Sequence, residues 1–180
     1  KAGRTFVSNA PLLEFTLGGR GIGEEIRLAA AERLSARVEL RSSVPVDHLE
    51  VVGNGRVVAA IPLESGHTHA SATVEIPVAG SGWYVLRAYS ERAELPVLDR
   101  YPFASTSPVY VTVAGVPVRS PGDAAFFVRW IDQIDEAAGA HAAWHTGEER
   151  DHVRRLLALA RAVYAERGLN APPARSPASP

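Results

Sequence analysis

Histidines, acidic residues and aromatics fall in a few places where their spacing permits chemistry, and each place must be weighed against the element that carries it. His67-Thr68-His69 sets two imidazoles at i and i+2, which on a strand point to one side and can share a metal ion. The pair follows Pro62-Leu63-Glu64-Ser65-Gly66, a turn sequence, and no third ligand stands near it in the chain. An exposed loop pair is therefore expected, with His67 and His69 the only metal candidates. His141 and His145 would stack on one helical face, but Gly139 and Thr146 place them in a loop, and His141 lacks the adjacent glutamate of a zinc protease. His152 and Trp144 lie close by, and Trp144 is expected to pack under a helix pair. Asp132 and Asp135 sit on a polar helix face, where carboxylates are usually solvated. The glycines of Gly18-Gly19-Arg20-Gly21-Ile22-Gly23 lack the following helix and the Lys-Ser/Thr of a phosphate cradle, so they read as a hairpin loop. No serine sits in Gly-x-Ser-x-Gly. No catalytic residue is assigned.

Aromatic side chains offer a second kind of chemistry. Trp83, Tyr89 and Tyr101, if exposed, would stack on a sugar ring; packing in a core or between domains explains them equally well.

The elements that must hold these residues are legible in the hydrophobic period. Before Ser120 apolar residues alternate, and after it they recur at three and four. Leu13, Phe15 and Leu17 share one side, and Val38 and Leu40 oppose Arg37, Glu39 and Arg41. Leu49–Val52 and Val57–Ile61 flank Gly53-Asn54-Gly55, which predicts a tight hairpin because these residues accept positive φ. Ala72–Val78 carries Val74, Ile76 and Val78 on one face. Trp83–Ser90 carries bulk on both, as a central strand does. Residues 93–107, with Pro96 and Pro102, read as a long ordered excursion before Val109–Val113 closes the sheet. Seven or eight short strands without βαβ alternation predict an immunoglobulin- or fibronectin-like antiparallel β-sandwich over residues 1–118.

Ser120-Pro121-Gly122-Asp123 starts a helix for a physical reason: serine caps, proline fits the first position, and aspartate meets the free amides. Ala124, Phe127, Val128, Ile131 and Ile134 form its apolar stripe, ending near Gly139. Thr146-Gly147-Glu148-Glu149 is a second capping box, continued by Val153, Leu156, Leu157, Ala160 and Tyr164 and stopped at Gly168. A two-helix hairpin over 119–168, packed on the sandwich, is expected, followed by a disordered tail with four prolines over 169–180.

The bulk composition bounds the partners. Lys+Arg 19 against Asp+Glu 20 leaves a net charge of −1, which gives no field to attract nucleic acid or an anionic membrane, and neither partner is expected. The absence of cysteine excludes disulfides and thiolate metal sites and leaves the redox compartment open. Lys1 leads into strand-like sequence without the apolar segment of a signal peptide, and a chain opening in this way without a methionine reads as part of something longer.

Three stretches carry a resemblance: Gly3-Arg4-Thr5-Phe6-Val7-Ser8-Asn9-Ala10-Pro11-Leu12-Leu13, then Tyr101-Pro102-Phe103-Ala104-Ser105-Thr106-Ser107-Pro108-Val109-Tyr110-Val111, then residues 119–132 from Arg119-Ser120-Pro121-Gly122-Asp123 to Asp132. Together, in this order, they resemble the C-terminal region of the carbaryl-hydrolase-like (CehA/McbA) family, metallohydrolases whose catalytic part is a polymerase-and-histidinol-phosphatase (PHP) domain. Ala10 stands where the family pattern has glycine. The resemblance implies that the metal ligands belong to a barrel preceding Lys1, so that this chain holds no cofactor and a divalent metal serves only the parent enzyme. It further implies that Arg4, Ser8 and Asn9 lie nearest that barrel. The expectation is a non-catalytic accessory domain, inactive by itself, whose partner is its own N-terminal catalytic domain. The alternative is a free-standing immunoglobulin-like binding module for glycans or peptides, using Trp83, Tyr89 or Tyr101.

Overall fold

Leu13, Phe15 and Leu17 are buried while Leu12 and Glu14 face water, and the same alternation recurs along strand after strand. Two facing sheets satisfy it here. A computed structural model describes residues 3–97 and 101–169. It divides into two units, residues 1–118 and 119–180.

Among the described residues the first unit holds eleven strands: β1 (Phe6–Ser8), β2 (Leu12–Leu17), β3 (Arg20–Gly21), β4 (Glu25–Leu28), β5 (Glu32–Arg41), β6 (His48–Gly53), β7 (Arg56–Ala60), β8 (His69–Val78), β9 (Gly82–Tyr89), β10 (Phe103–Thr106) and β11 (Val109–Val113). One sheet runs β3-β2-β5-β8. The other runs β1-β10-β9-β11-β4, with β6 also on β9 and β7 on β6. Every pair is antiparallel except β11 with β4, a departure from the all-antiparallel expectation. Residues 18–31 therefore do more than turn: after a β2–β3 hairpin at Gly18-Gly19, the chain crosses to the other sheet as β4. The 93–107 excursion is corrected likewise, since its second part is β10; residues 98–100 lie outside the described residues.

Between the sheets Phe15, Leu17, Val38, Leu40, Leu49, Val51, Ile76, Leu86, Val109 and Val111 form one core. Tyr84, Leu86 and Ala88 point into it from β9, the central strand. The β6–β7 turn has φ of 50° at Asn54 and 79° at Gly55, the left-handed pair that a two-residue hairpin requires.

The second unit is a helical hairpin, α1 (Pro121–Ala140) and α2 (Gly147–Leu169). Asp123 N donates to Ser120 Oγ at 3.3 Å and Glu149 N to Thr146 Oγ1 at 3.0 Å, so both predicted caps form. Ala124 and Ile131 are buried and Phe127 stacks on Tyr164 with centroids 4.8 Å apart, whereas Ile134 and Leu156 of the expected stripes are exposed. The tail predicted to be disordered lies outside the described residues from position 170.

Candidate functional site

Two of the resembling stretches, almost a hundred residues apart in the chain, are adjacent strands. Phe6, Val7 and Ser8 of β1 pair with Thr106, Ser105 and Ala104 of β10. Asn9 fastens the open end: its Nδ2 donates to Tyr101 O at 3.0 Å and its Oδ1 accepts from Phe103 N at 2.7 Å. Ser8 Oγ donates to Pro11 O and accepts from Ala10 N, which closes the turn into β2. Ala10 is not among the positive-φ residues, so this turn has no need of a glycine there. Arg4 pairs with Glu24 across an exposed 3.2 Å contact. The side chains expected to face a neighbour are thus partly engaged within the sheet. What the edge presents outward is apolar, with Phe6 44% and Val7 62% exposed. Val7, Ser8, Asn9, Tyr101 and Phe103 line a recess of about 340 Å³ there.

Tyr101 and Phe103, edge to face at 6.5 Å, also line a second recess of about 480 Å³, shared with Arg87, Tyr89, Ser90 and Glu91. The register explains the gathering. On the outer face of the larger sheet Phe103 lies opposite Tyr89, Tyr89 opposite His48, and Arg87 opposite Glu50. The His48 and Tyr89 rings stack at 4.5 Å, and Arg87 Cζ lies 5.0 Å from the Tyr89 centroid. Arg87 Nη2 donates to Glu50 Oε2 at 2.5 Å, so the guanidinium charge is balanced by a buried carboxylate. Its Nε is buried without a hydrogen-bond partner among the described residues. His48 Nε2 lies 3.3 Å from Glu91 Oε1, while the Glu91 side chain stays largely exposed. Ser90 Oγ donates to Pro45 O and is spent on the fold.

Of the aromatics singled out from sequence, Tyr89 and Tyr101 share this recess. Trp83 stands apart at the far end of β9, opposite Tyr110. Arg87, Glu91 and Phe103 were missed. The alternation of β9 put Arg87 beside Tyr89, but only the β9–β10 register brings Phe103 to them.

The histidines separate. His67 is exposed in a turn at φ 56°, while His69 opens β8 with Nδ1 2.9 Å from Thr68 Oγ1. With one on a turn and the other on a strand, the two no longer share a face. No group of three or more metal-ligating side chains occurs among the described residues. In the hairpin Trp144 Nε1 donates to Ala138 O at 3.0 Å and its ring meets His141 edge on, which caps the end of α1. Asp132 and Asp135, expected to be merely solvated, pair with Arg161 at 2.7 Å and Arg154 at 3.2 Å on the opposite helix. No described helix is long and apolar enough to cross a membrane.

Comparison with protein-family models, with curated proteins and with solved structures finds no match to this chain.

Proposed function

We propose that this chain is a non-catalytic accessory domain of a PHP-type metal-dependent hydrolase, set against the catalytic part by the edge that β1 and β10 form. The observation that carries the reading is the meeting of residues 3–13 and 101–111 at one sheet edge, with Phe6 and Val7 bare beside a recess. An exposed apolar strand edge is a liability unless something covers it. The first test is the coding sequence immediately before Lys1: barrel motifs rich in histidine and acidic residues are expected, and a start codon or a signal peptide there overturns the reading. In the parent protein, Val7→Asp should leave the isolated sandwich as stable as before and lower the melting temperature of the whole, by ~2–4 °C for each kcal/mol by which the interface is weakened.

A free-standing binding module is the second reading. The recess beside Tyr89, where two exposed or half-buried tyrosines meet opposite charges, favours it.

A further inference from the structure

We infer that the recess between Tyr89 and the Tyr101–Phe103 pair is a binding site for a neutral saccharide. The inference deepens the second reading above and is independent of the first, because an accessory domain and a free module can both carry such a site. The recess has about 480 Å³, within the range of small-ligand sites, roughly 300–1,000 Å³. Its chemistry selects among ligands by elimination. A quaternary ammonium or other cation seeks aromatic faces, but the Arg87 guanidinium already lies over the Tyr89 ring and repels it. An anion finds Arg87 neutralised by Glu50 and meets the exposed carboxylate of Glu91. An extended peptide seeking main-chain pairing finds no free strand in this recess, since β9 and β10 are each paired on both sides.

A pyranose meets the exposed groups of the recess. Its C–H face packs on the open Tyr101 ring, since the Tyr89 ring is already flanked by His48 and Arg87, and its hydroxyls donate to Glu91 and accept from Arg87. Arg87 comes from β9, while Glu91 and Tyr101 lie just outside the strands and are tied down through their backbones, Glu91 N donating to Asp47 Oδ2 at 3.0 Å and Tyr101 O accepting from Asn9 Nδ2 at 3.0 Å, so the site is formed before the ligand arrives.

The test is calorimetric and NMR titration of the chain with neutral hexasaccharides of glucose, mannose and xylose, with choline and a proline-rich decapeptide as competing classes. Saturable binding of at least one hexasaccharide is expected, weakened ~ten-fold or more by Tyr101→Ala and by Glu91→Ala. Trp83→Ala, at the other end of β9, should bind as before. Glu91 is exposed, so Glu91→Ala keeps the test meaningful should Tyr101→Ala fail to fold. Choline or peptide binding at these residues without saccharide binding overturns the ligand class and leaves the binding-module reading standing. No binding of any probe overturns both; saccharide binding that Glu91→Ala leaves unchanged overturns the site and leaves the binding-module reading standing.

Discussion

Thr106 is buried, and its hydroxyl accepts a hydrogen bond from Leu86 N at 3.0 Å where β10 runs out of backbone to offer. Thr106→Val keeps the shape and removes the acceptor, leaving a buried amide unpaired; a loss of about 1–3 kcal/mol by urea denaturation is expected, with the same fold. Tyr84 makes a different demand. It points into the core from β9, and burial raises its phenol above the ordinary value of 10.0. Because the folded state holds this proton more tightly than the unfolded chain, its contribution is complete below pH 10 and is lost as pH rises through the raised value. Melting temperatures followed from pH 8 to 11 should therefore fall less steeply in Tyr84→Phe than in the parent. Residue types announced some of this detail. Asn54-Gly55 declared its turn, because few other pairs accept two positive φ angles. Nothing in the sequence declared that Arg87 would find Glu50, since that contact depends on which residues of β6 and β9 lie opposite each other.

Elements with a strong local period were readable, and those defined by long-range pairing were not. The burial alternation of β2, β5 and β9 follows from side chains facing opposite ways at each step, and both helices begin at their capping serine or threonine. By contrast β3, β4 and β10 are two to four residues long and too short to show a period; each exists because a neighbour completes its ladder. The same dependence appears where β9 begins. A Cβ on Gly82 would come within 2.5 Å of the Asn54 amide, which accepts from Trp83 N at 3.0 Å and ties the β6–β7 turn to β9. Gly82→Ala must displace that amide, and a cost of about 1–3 kcal/mol is expected in thermal melts. Asn54→Ala made in the same background should recover part of it, which a double-mutant cycle will report.

As a whole the molecule joins two units of unequal means. The sandwich has a continuous core drawn from both sheets, whereas only Ala124 and Ile131 are buried among the described residues of the helices. Their cross-helix pairs, Asp132 with Arg161 and Asp135 with Arg154, are half exposed and set the alignment of the helices more than their stability. Residues 1–118 produced alone should unfold cooperatively, and residues 119–169 alone should show little helix by circular dichroism at 25 °C; a cooperative melt from the isolated helices would contradict this. The break at Ser120 was visible because the hydrophobic period changes there.

The strand pairings carry one more consequence, for biosynthesis. β1 waits for β10 and β4 waits for β11, so the opening residues find their neighbours only after the stretch ending at Val113 has been made. A nascent chain leaving the ribosome therefore travels with unsealed margins from the making of β1 until β10 and β11 emerge, a slow and sticky interval that gives chaperones something to hold.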